Sequence, residues 1–259
     1  MRSFEAGLMR YLRVAQQDGA MYGRLDGDVI RLIEGDLFGA YRVTERTVPL
    51  ASARLLTPCV PTKIVAIGVN YKDHAAEFKK DPPEEPLMFL KPPSALLAPE
   101  EAIVYPEGMT RRMDYEGELA VVIRKRTRHA TLEQAAAAIL GYTCCNDVTA
   151  RDLQKKDGQW SRAKGFDTFC PLGPVIATEL DPSQLRIETR LNGEVKQDAP
   201  VSAMIFDVPT LISRVSAVMT LMPGDVITTG TPSGVGPMKP GDVVEVHIAG
   251  IGTLRNRVV

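Results

Sequence analysis

Short apolar segments separated by glycine and proline turns are the feature that most restricts the fold of this chain. Four of them have the length and residue types of β-strands, at 119–123, 185–191, 226–229 and 243–248. Helical patterns are fewer and occur at 71–78, 132–139, 150–154 and 208–218. Because long helices do not alternate with the strands, a doubly wound parallel sheet is disfavoured. The sequence predicts a mainly β fold, a sandwich or roll with peripheral helices.

The N-terminal region has a strand pattern of its own. Residues 10–33 alternate apolar and polar side chains between Asp-Gly turn signals at 18–19 and 26–27, which predicts a small antiparallel meander. Two prolines near residue 60 precede a strongly apolar segment. We therefore predict a small β-rich N-terminal domain over 1–60 and a main domain over 61–259.

Charge and composition narrow the class of partner. The 259 residues include 31 Lys and Arg against 32 Asp and Glu, a net charge of −1, which gives no global field to attract nucleic acid or an acidic membrane surface. The chain has no apolar run of membrane-spanning length and no secretory signal pattern at its start, so we expect a cytoplasmic protein. The four cysteines lack the spacing of a zinc or redox site and are expected to be reduced and mostly buried.

Three acidic residues form a candidate metal site. Glu116 and Glu118 lie two residues apart in a strand-like segment and so project from one face. Like charges this close repel unless protons or a hard cation lie between them, although on spacing alone an exposed polar strand face is the commoner explanation. Asp147 stands where either a helix N-cap or a metal ligand would fit. If the three converge, they leave coordination positions open for water and substrate, as Mg²⁺ or Mn²⁺ catalysis requires.

Other residues could serve as a base or a cation. His74 and Glu77 are three residues apart in a helical pattern, and a carboxylate at that spacing would orient the imidazole as a base, although an exposed helical pair is commoner. Lys164 lies among aromatic residues, which makes partial burial plausible, and the alternative is a surface lysine.

Two further segments have functional interpretations. The glycine-rich tract 228–236 lacks the spacing of a phosphate loop or a nucleophile elbow, but its backbone N–H groups and the Thr231 hydroxyl could face a carboxylate. The charged, proline-rich stretch 79–86 predicts a solvated loop, or else a mobile lid that follows the candidate catalytic helix.

Six motifs in fixed order carry a resemblance to a known family. They are GVNYKDH at 68–74, FLKP at 89–92, YEGEL at 115–119, NDVTARDLQ at 146–154, KGFD at 164–167 and TGTPSGVG at 229–236. From about residue 63 to its end, the chain resembles the fumarylacetoacetate hydrolase family. Within it, the chain is most similar to the small acylpyruvase and 2-hydroxyhepta-2,4-diene-1,7-dioate isomerase branch. The resemblance implies a mixed β-sandwich roll that forms a homodimer.

The resemblance also implies roles for individual residues. It makes Glu116, Glu118 and Asp147 the ligands of Mg²⁺, Mn²⁺ or Ca²⁺. His74 and Glu77 become the water-activating pair, and Lys164 faces the substrate. Contacts to the substrate or its oxyanion come from Arg151, Gln154 and Thr231. Some relatives have a basic residue where this chain has Val69, so the contact to the far end of an anionic substrate is either missing here or supplied by Lys91 or Arg162.

The implied chemistry passes through the enolate of a 2-oxo acid, which chelates the metal through its 1-carboxylate and 2-oxygen. Hydrolysis of the C3–C4 bond of an acylpyruvate or fumarylpyruvate is favoured because both His74 and Glu77 are present. Isomerisation of a 2-hydroxymuconate-like diacid in aromatic catabolism and decarboxylation of oxaloacetate are the alternatives. A protein that binds 2-oxo acids without turnover is a third hypothesis.

Overall fold

The computed structural model describes residues 7–17, 19–77 and 81–259, and these contain twenty strands and five α-helices. The strands are β1 Arg10–Gln16, β2 Gly19–Asp26, β3 Val29–Gly35, β4 Tyr41–Pro49, β5 Leu55–Leu56, β6 Ile64–Gly68, β7 Leu87–Lys91, β8 Leu96–Leu97, β9 Ala102–Ile103, β10 Met113–Tyr115, β11 Gly117–Ile123, β12 Ile139–Asn146, β13 Thr149–Ala150, β14 Cys170–Ala177, β15 Arg186–Leu191, β16 Glu194–Pro200, β17 Val226–Thr228, β18 Gly236–Met238, β19 Val243–Ile248 and β20 Gly252–Val258. The helices are α1 Lys72–Glu77, α2 Leu132–Ala136, α3 Arg151–Asp157, α4 Ser161–Lys164 and α5 Val208–Val218.

Three sheets organise these strands. The main sheet has twelve strands in the order β4-β3-β2-β1-β14-β12-β11-β17-β6-β7, with β5 beside β1 and β8 beside β14. A second sheet runs β16-β15-β19-β20-β9, and a small third sheet runs β13-β10-β18. The predicted mainly β architecture with few peripheral helices is therefore confirmed. The four predicted strands coincide with β11, β15, β17 and β19, with small differences at their ends.

The central strand β11 is buried on both faces. Leu119 and Val121 project into a core cluster shared with Ile187 of the second sheet and Leu211 of α5. Ala120 and Val122 project to the opposite face, where they belong to a different buried cluster. Period-two geometry with apolar cover on both sides explains the uninterrupted apolar sequence from Leu119 to Ile123. It also gives the acidic residues at its start a rigid, dry support.

The N-terminal strands form the predicted meander and continue the main sheet. Strands β1, β2 and β3 pair antiparallel in order, and β1 also pairs with β14, with Arg10 opposite Ala177. Leu12 and Ile30 belong to the same buried cluster as Val65. The boundary near residue 60 therefore divides the sequence without dividing the sheet, and the two-domain division stays a prediction. Asp18, part of the first predicted turn, lies outside the described residues.

The helices differ from the predictions mainly at their ends. Helix α5 has the predicted bounds and is capped by Asp207, whose side chain accepts from the N–H of Thr210 at 2.9 Å. Helix α2 begins with a capping box formed by Thr131 and Gln134 but stops at Ala136, because Ile139 already pairs with β11. Helix α3 begins one residue late, at Arg151, because β13 pairs with β10. The sequence did not predict α4.

The structure also bears on the predictions for the cysteines, the first helix with its following loop, and membrane-spanning segments. All four cysteines are free and buried, as expected. Phe78, the last residue of the first predicted helix, and part of the 79–86 loop lie outside the described residues. Across the described ranges, the longest and most apolar helices fall short of what a membrane span needs.

Candidate active site

The three acidic residues of the predicted metal site meet at one end of β11 and β12. Glu118 is the second residue of β11, Glu116 immediately precedes that strand, and Asp147 immediately follows β12. The N–H of Asp147 donates to the carbonyl of Glu116 at 2.8 Å, and the Oδ1 of Asn146 accepts from the N–H of Glu116 at 2.9 Å. One carboxylate oxygen from each acid lies within 4.8 Å of the others.

The structure decides between two pairs of alternatives that spacing left open. Glu116 and Glu118 are only 4% and 1% exposed, so the explanation of an exposed polar strand face is wrong. Glu116 itself falls between β10 and β11, in a one-residue interruption of the predicted strand. Asp147 is not a helix N-cap, because Ala150 occupies that position in α3. All three carboxylates therefore lie in a buried cluster.

Cationic side chains share this buried cluster. Lys164 on α4 donates to Glu116 Oε2 at 2.8 Å and to Asp147 Oδ2 at 2.5 Å. It is buried, which excludes the surface alternative. Burial would lower the pKa of Lys164, but the charges of Asp147 and Glu116 raise it above its ordinary value, so the amine stays protonated. Burial would likewise raise the pKa of Glu116, but Lys164 and Arg151 hold it well below the ordinary value.

The pKa of Glu118 is shifted in the opposite direction from that of Glu116. Burial and the neighbouring charge of Asp147 raise the pKa of Glu118 well above its ordinary value. Its Oε2 accepts the N–H of Gly230 at 2.9 Å. Gly230 has φ of +94°, and a Cβ there would lie 2.8 Å from the Cβ of Asn70. The glycine-rich tract thus presents a backbone N–H to a carboxylate, as the sequence suggested.

Thr231 also lies at the site. Its hydroxyl donates to the carbonyl of Gly117 at 2.9 Å and accepts from the amide of Gln197 at 2.8 Å. These two bonds fix the hydroxyl between the glycine-rich tract and β11. Thr231 lines the cavity described below.

The predicted base and its partner are in contact. Nδ1 of His74 lies 3.1 Å from Oε2 of Glu77, and the imidazole is buried. A carboxylate only accepts, so Nδ1 carries the proton and Nε2 presents a lone pair. Burial lowers the pKa of His74 below its ordinary value, although the charges of Glu116 and Glu77 oppose this. The ring is therefore neutral at neutral pH and can act as a base.

Helix α3 contributes three cavity residues, Arg151, Gln154 and Lys155. Arg151 donates from Nε to Asp114 Oδ2 at 2.9 Å and from Nη1 to Gln154 Oε1 at 2.7 Å, and its Nη2 pairs with Glu116. Asp114 is fully buried and is also held by Arg112. Sequence reasoning missed Asp114 and Lys155. The signals were the acid two residues before Glu116 and the basic residue one helical turn after Arg151.

One cavity of about 220 Å³ is lined by the three carboxylates together with His74, Lys164, Thr231 and the three residues of α3. Its other walls are apolar, and they include Val69, Phe89 and Trp160. The rings of Phe89 and Trp160 meet edge to face at 5.1 Å, and the ammonium of Lys164 lies 5.2 Å from the centre of the Phe89 ring. Val69 has φ of +57°, which is costly for a β-branched residue and typical of a functional site. The volume is below the roughly 300–1,000 Å³ of pockets for drug-sized ligands, so a small acid fits.

Two of the predicted substrate contacts have other partners. Lys91 is fully buried and donates to Asp147 Oδ1 at 2.5 Å, and it is not among the residues that line the cavity. Arg162 is paired with Asp157 at 2.5 Å on the surface. Neither Lys91 nor Arg162 lines the cavity, and their contact with the far end of a substrate stays a prediction.

The donor set fits a hard divalent cation. Three carboxylates converge, and hard oxygen ligands of this kind suit Mg²⁺, Mn²⁺ or Ca²⁺. Burial and the charge of Asp147 disfavour the ionised form of Glu118, and a divalent cation among the three carboxylates would stabilise that form. The residues that would hold the ion are Glu116, Glu118 and Asp147.

Comparison with known proteins gives two matches to family models. The model described as fumarylacetoacetate (FAA) hydrolase, C-terminal, matches residues 63–259. The model described as Rv2993c-like, N-terminal, matches residues 9–58.

Relatives and solved structures agree with the first match. A protein of Archaeoglobus fulgidus is 56% identical over 88% of this chain and 89% of its own. Oxaloacetate tautomerase YisK of Bacillus subtilis is 44% identical over 76% of this chain and 70% of its own. The structure of 2-hydroxyhepta-2,4-diene-1,7-dioate isomerase from Mycobacterium marinum is 46% identical and superposes with a TM-score of 0.90. The match covers 97% of this chain and 98% of that protein's chain.

A fourth similar protein was solved with ligands. Fumarylpyruvate hydrolase from Pseudomonas aeruginosa, in complex with Mn²⁺ and pyruvate, has TM-score 0.73 and 32% identity, and covers 83% of this chain and 92% of its own. The match over 63–259 and the shared fold lead to one conclusion: this chain belongs to the fumarylacetoacetate hydrolase family of enzymes.

Proposed function

We propose that this protein is a divalent-metal-dependent enzyme that moves a proton at C3 of a small 2-oxo acid, in the keto–enol tautomerisation of an oxaloacetate-type diacid. The observation that carries the proposal is the His74–Glu77 contact on the wall of a small cavity that also holds the carboxylate cluster. Enolisation needs a base at C3 and positive charge near the oxygen at C2. The 44% identity to an oxaloacetate tautomerase supports this reaction among those of the family.

His74 is the base. Its Nε2 takes the proton from C3, the C3–H electron pair becomes the C2–C3 double bond, and negative charge moves to the oxygen at C2. Glu77 accepts the Nδ1–H throughout and stabilises the imidazolium that forms. In the opposite direction His74 returns the proton to C3.

Lys164 and α3 place and stabilise the substrate. The protonated Lys164 supplies positive charge for the oxygen at C2 and can give it a proton. Arg151, Gln154 and Thr231 are held by the hydrogen bonds described above, so their polar groups meet the substrate in fixed positions. A Mg²⁺ or Mn²⁺ ion held by Glu116, Glu118 and Asp147 would supply Lewis-acid charge stabilisation to the 2-oxo acid group.

The test uses enol oxaloacetate, whose ultraviolet absorbance disappears as the keto form appears. The purified protein with Mg²⁺ should accelerate this decay beyond the rate with Mg²⁺ alone, and treatment with EDTA should remove the acceleration. An equal rate in EDTA would exclude metal dependence. No acceleration under any metal would exclude the tautomerase proposal.

Hydrolysis of the C3–C4 bond of an acylpyruvate or fumarylpyruvate, which the sequence alone favoured, is the second candidate. The observation that favours it is again the His74–Glu77 contact, because Nε2 of His74 could equally activate a water molecule. A fumarylpyruvate hydrolase is among the similar structures, at a lower identity of 32%. Proton NMR of acetylpyruvate with protein and Mg²⁺ distinguishes the two, since only hydrolysis yields pyruvate and acetate.

We also propose that the protein works in the cytoplasm as a homodimer. The family resemblance supports the dimer, and sedimentation equilibrium of the purified chain tests it. A mass of one chain, 28.3 kDa, would contradict it.

A further inference from the structure

We infer that Lys155 determines substrate specificity by binding a second carboxylate of the substrate at the mouth of the cavity, so that the preferred substrates are 2-oxo diacids. The inference rests on the proposed function, because it names the substrate class of the same site. It follows from the charges that line the cavity and from the partners those charges already have.

Besides the neutral imidazole of His74, three positively charged side chains line the cavity, and two of them already have carboxylate partners. Arg151 is paired with Asp114 and Glu116, and Lys164 with Glu116 and Asp147. Lys155 lines the same cavity. Among the described residues, no ion pair or hydrogen bond to its ammonium group is found. Lys155 is thus the cavity cation whose charge is available to an anionic ligand.

The position of Lys155 on α3 suits this role. It follows Arg151 by four residues, so the two side chains share one face of the helix, about one turn apart. Lys155 is exposed whereas Arg151 is buried, which places Lys155 at the outer end of the cavity and Arg151 near the carboxylate cluster. A 2-oxo acid whose acid end lies at that cluster would therefore direct its far end toward Lys155.

The other walls make this cation the main source of diacid preference. Val69, Phe89 and Trp160 offer apolar surface, which accepts an alkyl or an acyl chain but no carboxylate. Lys156, the next residue, lines a separate surface depression together with Asp152 and Thr110. The two adjacent lysines therefore differ in the site they face, and Lys156 is a matched control.

The experiment compares oxaloacetate with pyruvate, which is oxaloacetate without its second carboxylate. In Lys155→Met we expect the KM for oxaloacetate to rise about fivefold, as for an exposed ion pair, while the inhibition constant of pyruvate stays unchanged. Lys155→Glu replaces attraction by repulsion and should raise this KM further, by roughly twentyfold. Lys156→Met should change neither constant. High salt should reduce the difference between wild type and Lys155→Met.

Calorimetric binding of both acids to the Mg²⁺-loaded variants gives an independent readout. Tighter binding of oxaloacetate than of pyruvate by the wild type, lost in Lys155→Met, supports the inference even without turnover. If the wild-type protein binds oxaloacetate and pyruvate but turns over neither oxaloacetate nor acetylpyruvate, the proposed function is contradicted and the role of Lys155 in binding is not. Equal effects of Lys155→Met on the two acids, or no effect on either, would overturn the role of Lys155.

Discussion

The backbone N–H of Asp147 donates to the carbonyl oxygen of Glu116 at 2.8 Å. This hydrogen bond continues the pairing of β11 with β12 by one step beyond Gly117 and Asn146, and it places two acidic side chains from distant parts of the chain beside each other. Two ordinary β-strands thus provide the geometry of the carboxylate cluster. The cluster then depends on cations for its stability, because like charges repel strongly in a buried site.

Removing one carboxylate tests the metal site. Glu118→Gln keeps the shape of the side chain and removes a charge that burial and Asp147 disfavour. We expect Mg²⁺-dependent activity to fall more than about 100-fold and the stabilisation by Mn²⁺ in thermal melts to disappear, while the melting temperature in EDTA is unchanged or higher. The exposed Glu133→Gln on α2 is the control. Retention of Mn²⁺ stabilisation in Glu118→Gln would remove Glu118 from the site.

Replacing the base separates chemistry from metal binding. His74→Gln should lower kcat by roughly 10²–10⁴-fold, since it removes general-base catalysis, and Mn²⁺ affinity should stay within a few-fold of wild type. Glu77→Gln should give a smaller loss, because His74 remains but loses its orienting carboxylate. The exposed His247→Gln should behave as wild type. An unchanged kcat in His74→Gln would show that another group acts as the base.

A positioning role for Asp114 is tested through Arg151. Asp114→Asn removes the charge that holds the Arg151 guanidinium at 2.9 Å and leaves the cavity residues themselves intact. We expect kcat/KM to fall by about tenfold with unchanged Mn²⁺ affinity, as for other groups that orient a functional side chain. Asp198→Asn breaks an exposed pair with Arg186 and should leave kcat/KM unchanged. A fall in Mn²⁺ affinity equal to the fall in kcat/KM would point to a disrupted carboxylate cluster instead.

Gly230 is a test of backbone strain next to Glu118. Gly230→Ala adds a Cβ at φ +94° and 2.8 Å from Asn70 Cβ, so the free energy of unfolding should fall by about 2–4 kcal/mol, the sum of strain and overpacking. Gly158 also has positive φ but no atom within 4 Å of an added Cβ, so Gly158→Ala should cost about 1 kcal/mol. Urea denaturation measures both. Equal costs would show that the contact with Asn70 is relieved by a small shift.

Much of the site could be predicted from the sequence because its members lie in short ordered motifs. The carboxylate cluster, the His74–Glu77 contact and the buried Lys164 are all found in the structure. What the sequence did not reveal was how deeply these side chains are buried. Spacing places Glu116 and Glu118 on one face but cannot say that β11 is covered on both sides, which excludes the exposed alternative.

Residues whose roles depend on long-range pairing were harder to place. Lys91 ends β7 opposite Ile64 of β6, and the contact of its ammonium with Asp147, 56 residues later in the chain, leaves no mark in the local sequence. Arg162 lies two residues before Lys164, yet α4 directs it to Asp157 on the surface. The union of the N-terminal strands with the main sheet rests on the pairing of β1 with β14, which no local pattern reveals. Lys155 stands out only once the partners of Arg151 are known.

The most direct test of the account is the decay of enol oxaloacetate in four parallel samples: wild type with Mg²⁺, wild type with EDTA, His74→Gln with Mg²⁺, and Mg²⁺ alone. We predict acceleration in the first sample only. Acceleration in EDTA, or an equal rate with His74→Gln, would contradict metal-dependent base catalysis in this cavity.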